Sequence, residues 1–276
     1  MLLQVGPDPN AGAIPDVPEE LRNRPPRNTN EIAPSKPTDP ISIWLSECLD
    51  LVESDPARAH AKAQIRRGET EGAERVIANH CLGLAATGLG LWNDAQTAFM
   101  AARDETPVDE QRARARFGTM AGNAALAGGN AQGAIALLQT AEADARASQA
   151  GTLEALAAID RARALVALEQ TDEALSALDS AATLTPGNAE IWLYKATLFR
   201  RGDQLAEAQA AIERASELAP LDPQVGLEAG VIAVLDGRDD AARASWQSVV
   251  DTRPDSPQAE TARGYLEQLG PATSAQ

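Results

Sequence analysis

The apolar residues of this chain recur at steps of three and four, which is the spacing of one face of an α-helix. The first clear example lies between residues 41 and 52. Its apolar positions are Ile41, Trp44, Leu45, Cys48, Leu49 and Val52. The same spacing returns in segment after segment as far as Leu269, and proline or glycine stands near many of the breaks. We therefore predict an all-α protein of short amphipathic helices.

This pattern repeats at a fixed step. Three prolines stand 34 residues apart, at Pro186, Pro220 and Pro254 (220 − 186 = 34; 254 − 220 = 34). Twelve residues before each proline lies an alanine, and a large apolar residue follows each alanine by four. A fixed period of this size indicates stacked copies of one helix–turn–helix unit, which together build an extended surface.

We predict five such units, with helix pairs near 72–104, 110–147, 151–184, 188–218 and 222–252. Small residues in the first helix let it approach the second; they are Gly83, Gly122, Ala162, Ala196 and Gly230. Alanines do the same from the second helix: Ala95, Ala134, Ala174, Ala208 and Ala242. The large residues are expected to fill the space between neighbouring units; they are Phe99, Leu138, Leu178, Ile212 and Trp246.

In these features the chain resembles the tetratricopeptide repeat family. The best matches are the Leu82-Gly83 pair with Ala95 and Phe99, and the aromatic start at Trp192. The resemblance implies a solenoid, or α-α superhelix, of about five helix pairs with N- and C-terminal capping helices. It also implies a non-catalytic scaffold or adaptor that binds a protein, peptide or helix through its concave groove.

The second unit departs from the pattern. It has no closing proline, and its alanine stands 40 residues before the next one (174 − 134 = 40). This predicts either about one and a half extra helical turns or a longer loop around 142–152. Arg161 and Lys195 also occupy first-helix positions that are usually apolar in the family.

The chain divides into four parts. Residues 1–40 are rich in proline and read as an extended or disordered arm. Residues 41–70 predict capping helices, because a terminal repeat must not leave its apolar face in water. Residues 71–254 hold the five repeats. Residues 255–276 predict a C-terminal solvating helix, ended by Gly270 and Pro271, and a tail.

The acidic composition limits the partners. With 24 Lys and Arg against 40 Asp and Glu, the formal net charge is −16. Such a balance argues against nucleic acid as a partner, because phosphate binding draws on clustered Lys and Arg. No apolar run is long enough to insert into a membrane. The start lacks the basic and apolar regions of a signal peptide, so we expect a soluble, cytoplasmic protein, or a periplasmic one if a signal peptide was trimmed.

The two cysteines and the histidines offer little chemistry. Cys48 and Cys81 lie on apolar stripes of two predicted helices, which favours buried, unpaired thiols; a disulfide is the alternative in an oxidising compartment. Their spacing does not fit a zinc site. His80 adjoins Cys81, but successive helix residues do not face each other. We therefore predict no enzyme activity, no metal and no cofactor.

The resemblance also implies which residues line the groove. They are His80, Leu84, Thr119, Asn123, Ile159, Arg163, Leu193, Thr197, Arg200, Leu227 and Val231. Co-chaperones of this family hold a partner's C-terminal carboxylate with Lys and Asn at matched positions, where only Asn123 and Arg163 suit that role here. We therefore expect an amphipathic helix or an extended apolar peptide instead. The competing interpretation is that the superhelix itself partly buries these apolar residues and that they bind nothing.

Three functions are open at this point. The first is an adaptor that binds a protein or peptide through the groove or the Pro-rich arm. The second is a structural module that forms a homo-oligomer through the Trp44 helix or the terminal apolar stripes. The third, an enzyme, would need a site that no motif in the sequence indicates.

Overall fold

The structure, a computed structural model, describes residues 39–270. Thirteen α-helices follow one another in this range, and no strand occurs there. They are α1 (Pro40–Ser54), α2 (Pro56–Glu69), α3 (Gly72–Gly88), α4 (Trp92–Glu105), α5 (Gln111–Ala127), α6 (Ala131–Ala147), α7 (Gly151–Ala167), α8 (Thr171–Leu184), α9 (Ala189–Arg201), α10 (Leu205–Leu218), α11 (Pro223–Leu235), α12 (Asp239–Thr252) and α13 (Pro257–Leu269). The predicted arm and C-terminal tail lie outside the described residues, apart from their inner ends.

The all-α prediction and the five helix pairs are confirmed. Helices α3 to α12 form the pairs, each of a first and a second helix, and residues from Trp44 onward form one compact unit. Helices α1 and α2 precede the pairs, and α13 follows them. Asp55 starts α2, where its carboxylate accepts a hydrogen bond from the Arg58 N–H at 3.0 Å. Pro56 takes the first helical position, which suits its fixed φ.

The turn inside every pair contains one residue with a left-handed backbone. These residues are Gly90, Gly129, Glu169, Asp203 and Gly237, with φ between 59° and 81°. Each stands five residues before the alanine of the second helix. Glycine adopts this conformation freely, whereas a side chain makes it costly. The third and fourth pairs therefore carry some backbone strain at Glu169 and Asp203.

The 34-residue step of the sequence is also a step of the backbone. Thr185, Ala219 and Arg253 each end a second helix, with φ of −138°, −139° and −138° and ψ of 68°, 67° and 58°. Each directly precedes one of the three spaced prolines. Residues before proline are pushed out of the helical region, so the proline fixes where the helix stops.

The small and large residues of the motif meet within one pair. A methyl group added to Gly83 would lie 2.5 Å from the Phe99 ring, and one added to Gly230 would overlap the Trp246 indole. Phe99 also belongs to one buried cluster with Ala121 of the next pair. The large residues thus contact the small residue of their own unit, and Phe99 shares a core with the next unit as well.

The extra residues of the second unit are helical. Helix α6 has 17 residues where the other second helices have 14, and α7 has 17 where α9 and α11 have 13. The connection between α6 and α7 is only three residues long, Ser148 to Ala150. Of the two alternatives for this region, added helical turns are correct.

A disulfide joins the first cap to the repeats. Cys48 on α1 and Cys81 on α3 are bonded, with their Cα atoms 6.3 Å apart, and both are fully buried. Trp44 and Val52 pack against the same cluster. We had favoured unpaired thiols; the structure contains the disulfide alternative instead.

Candidate functional site

The stack of helices opens between the third and fourth pairs. The first helices α5 and α7 approach each other closely, as do α9 and α11, whereas α7 and α9 stay apart, as do α3 and α5. Among consecutive helices from α2 onward, α8 and α9 are also the pair that lies close together over the smallest area. The gap leaves a cavity that side chains from three helices line.

This α7–α9 cavity has a volume of about 180 Å³. Its lining residues are Ala162, Arg163 and Val166 of α7, Leu178 of α8, and Tyr194, Thr197, Leu198 and Arg201 of α9. Most of these side chains are apolar, and Leu178 and Leu198 belong to the buried core. Two guanidinium groups and one phenol add the polar part. An apolar concave surface with a few polar groups is the usual form of a binding pocket.

A polar network lies beside the cavity. The Asn123 amide donates to the Asp160 carboxylate at 2.8 Å, and Arg163 donates to the same carboxylate at 3.0 Å. Burial raises the pKa of Asp160, and the hydrogen bond from Asn123 and the charge of Arg163 oppose that rise. Burial also raises the pKa of Tyr194. The network therefore orients Arg163 and neutralises part of its charge.

The two arginines at the end of α9 differ in their partners. Arg200 donates two hydrogen bonds to Glu228 on α11, at 2.6 and 3.3 Å. Arg201 is exposed, and its side chain forms no hydrogen bond or ion pair with any residue between 39 and 270. The uncompensated charge at the cavity is therefore positive, although the chain as a whole is acidic.

His80 lies further along the row of first helices. Its ring meets that of Phe117 edge to face, with centroids 5.3 Å apart. Burial lowers its pKa, and the positive charge of Arg116 lowers it further. Among residues 39–270 no group of three or more acidic, cysteine or histidine side chains is arranged to hold a metal ion.

The structure separates the predicted groove residues into two sets. Ten of the eleven are half-buried or exposed, whereas Ile159 is 2% exposed and belongs to the core. Leu84, Leu193 and Leu227 pack against core clusters with part of their surface. Val231 lines a second cavity, next to Trp246 and Tyr265. Only Arg163 and Thr197 share the α7–α9 cavity, and Asn123 connects to it through Asp160.

Sequence reasoning did not include several residues that line this cavity or belong to the polar pairs beside it. Among them are Asp160, Leu178, Tyr194, Arg201 and Glu228. Four of them directly follow predicted groove positions: Ile159, Leu193, Arg200 and Leu227. A polar residue directly after an apolar one was the signal that could have placed Asp160 and Glu228 beside the groove. Leu178 was assigned to the packing between units, and Arg201 stands directly after Arg200, a predicted groove residue.

None of the helices described between residues 39 and 270 is long and apolar enough to cross a membrane. A family model described as tetratricopeptide repeat matches residues 165–230, which include most of the α7–α9 cavity. No curated protein sequence matches the chain.

Solved structures resemble nearly the whole described range. PilW, a widely conserved type IV pilus biogenesis factor, is 17% identical with a TM-score of 0.64, covering 81% of this chain and 98% of PilW. PilF of Pseudomonas aeruginosa is 11% identical with a TM-score of 0.61, covering 82% of this chain and 97% of PilF. BtubC (BKLC) from P. vanneervenii is 15% identical with a TM-score of 0.57, covering 86% and 96%. At these identities the likeness shows a shared fold.

Proposed function

We propose that this chain is a non-catalytic adaptor of the tetratricopeptide repeat family that binds a segment of another protein. Members of this family are generally scaffolds for protein–protein interaction. The binding surface in this proposal is the row of first helices, and its centre is the α7–α9 cavity. The observation that carries the proposal is an apolar cavity with two arginines, at a place where neighbouring first helices part and where α8 and α9 are also only loosely joined.

The size of the cavity favours a protein side chain over a large ligand. Small-molecule pockets usually enclose about 300–1,000 Å³. An apolar cavity of about 150 Å³ accepts benzene, so about 180 Å³ suits one aromatic or branched side chain. The rest of a bound peptide would then lie along the half-buried residues of the neighbouring first helices, among them Thr119 and Leu193.

Selection from a random displayed peptide library on the immobilised protein tests this proposal. We expect the wild type to enrich peptides and Thr197→Trp to lose them, because the indole would fill the cavity. Thr183→Trp is the matched control, since Thr183 is exposed on the second helix α8 and away from the lining residues. Peptides that bind Thr197→Trp as well as the wild type would exclude this cavity as the binding site.

We propose further that the chain works in an oxidising compartment such as the periplasm. The support is the Cys48–Cys81 disulfide, because disulfides persist in oxidising compartments and are rare in the cytosol. Alkylation of the unfolded, unreduced protein taken from its native cells tests this. We expect neither cysteine to be labelled before reduction; labelling of both would assign the chain to a reducing compartment.

Self-association through the Trp44 helix has less support. Arg66 lies over the Trp44 ring at 5.0 Å and Lys62 at 5.7 Å, so cations of α2 already cover part of the indole. Lys62 is in turn paired with Glu47 at 2.9 Å. We therefore propose the adaptor and not the homo-oligomer.

A further inference from the structure

We infer that the occupant of the α7–α9 cavity is a peptide segment in which an aromatic side chain stands next to aspartate or glutamate. This inference rests on the proposed function and names the chemistry of the partner. Two observations carry it: the apolar floor of the cavity and the unbalanced positive charge at its rim.

The floor specifies an apolar side chain. Leu178 and Leu198 are almost fully buried, and Ala162 and Val166 complete the apolar wall. The Tyr194 ring is half-buried at the same site. A ring inserted here would lose its contact with water and gain an aromatic neighbour, and aromatic pairs add attraction beyond the area they bury. A polar side chain would lose its hydrogen bonds to water on entering.

The rim specifies a negative charge beside that side chain. Every acidic group in the network near the cavity already has a partner: Asp160 has Asn123 and Arg163, and Glu228 has Arg200. Arg201 has none among residues 39–270. An arginine fork binds a carboxylate with two parallel hydrogen bonds, and such charged pairs are stronger than neutral ones. A basic peptide would instead meet like charge.

The ligand geometry follows from where these groups stand. Arg163 and Arg201 lie on the two facing first helices, one on each side of the cavity. An inserted side chain would thus be flanked by cations on both sides. An acidic residue on one side of the aromatic residue would pair with Arg201, and one on the other side would meet Arg163, whose charge Asp160 neutralises only in part.

Fluorescence anisotropy with three labelled peptides of equal length tests the inference. The first carries phenylalanine between two glutamates in a glycine–serine background. The second has lysines in place of the glutamates, and the third has alanine in place of the phenylalanine. We expect the first to bind about tenfold or more tightly than either other peptide, and added salt to weaken it.

Two charge-reversal variants assign the effect to the rim. Arg201→Glu should weaken the first peptide by about tenfold or more. Arg112→Glu is the control, because Arg112 is an exposed arginine on α5 with no ion-pair partner in residues 39–270 and makes the same change of net charge. Both positions are on the surface, so we expect both variants to keep the wild-type helix content.

The outcomes separate this inference from the proposed function. Library peptides that need an open cavity but carry no acidic residues would overturn the inference and leave the adaptor standing. Equal binding of the glutamate and lysine peptides, or an equal loss in Arg201→Glu and Arg112→Glu, would also overturn it. A library that enriches no peptide at all would overturn both.

Discussion

The first three helix pairs and the last two solve the same packing problem with different junctions. In the N-terminal run (α3–α8) the first helices have 17 residues, and in the C-terminal run (α9–α13) those of the pairs have 13. Junctions in the N-terminal run are close, whereas the one that joins the two runs, α8 to α9, is the least close from α2 onward. Both runs keep the same pairing of a small with a large residue. A solenoid therefore opens where a junction changes, while the repeat motif stays constant.

Side-chain ties follow the same division. Across the α6–α7 junction, Arg161 donates to Glu142 at 2.6 Å, and Glu142 is only 8% exposed. Across the α8–α9 junction, Lys195 pairs with Asp179 at 2.6 Å, but the Asp179 side chain is 64% exposed. Water screens the second pair much more strongly than the first. The ion pair across the α8–α9 junction is thus the weaker of the two.

The largest effect should come from truncating two matched leucines of the N-terminal run, one at a close junction and one at the α8–α9 junction. Leu138 on α6 and Leu178 on α8 hold the same place in the motif, and both are fully buried. Leu138→Ala should cost about 4 kcal/mol and Leu178→Ala about 2 kcal/mol, since Leu178 already borders a cavity and loses fewer contacts. Urea unfolding followed by circular dichroism measures both. Equal losses would mean that the α7–α9 cavity is closed in solution.

The two ion pairs should differ by a smaller margin. Glu142→Gln leaves the Arg161 charge poorly compensated in a mostly buried place, and we expect a loss of about 2 kcal/mol. Asp179→Asn should cost less than about 1 kcal/mol, because that pair is exposed. Thermal melts of both variants in low and high salt measure this. A larger loss for Asp179→Asn would reverse the ranking of the two junctions.

The left-handed turns should respond by about 1 kcal/mol each. Glu169→Gly, at the last turn of the N-terminal run, removes a strained side chain and should stabilise the fold by that amount. Gly237→Ala, at the matching turn of the C-terminal run, should destabilise it by a similar amount. Asp203→Gly should gain less, since aspartate tolerates this conformation better than most residues. Unfolding midpoints of the three variants are the measurement, and a loss in Glu169→Gly would contradict the strain.

The smallest effect concerns pH and is confined to the N-terminal run. The fold holds the pKa of His80 below its ordinary value of 6.5, so the unfolded chain binds this proton more readily. The stability that neutral His80 contributes is fully present above pH 6.5, and it is lost as the pH falls toward the pKa of His80 in the folded protein. Groups that face the ring include Arg116, which acts in the same direction. Hydrogen exchange should therefore speed up in α3 relative to α11 as the pH falls.

His80→Phe provides the control for the pH effect. Phenylalanine keeps a ring against Phe117 but cannot take up a proton. We expect this variant to lose the extra acid sensitivity of α3. An unchanged difference between α3 and α11 would assign it to another group.

The sequence predicted the fold more completely than the site. The repeat period, the helix-capping residues and the positions of Gly83 and Trp246 follow local rules, and these rules predicted all five pairs. The α7–α9 cavity depends on how far two helices stand apart, which no single position encodes. Ile159 shows the limit: the family resemblance places it in the groove, but in the structure Ile159 lies in the core and the next residue, Asp160, accepts the hydrogen bond from Asn123. The importance of Arg201 comes from the hydrogen-bond and ion-pair partners that its side chain lacks among residues 39–270, which the sequence does not show.

The closely similar backbone dihedrals at Thr185, Ala219 and Arg253 have a consequence for how this chain can be extended. A second copy of residues 189–222 could be inserted after Asp222, because the second helices before and after the insertion end with nearly the same φ and ψ angles. Such an insert lengthens the C-terminal run by one pair and leaves the α7–α9 opening untouched. The half of the chain marked by the spaced prolines is thus the part in which gene duplication can lengthen the solenoid without changing a helix junction.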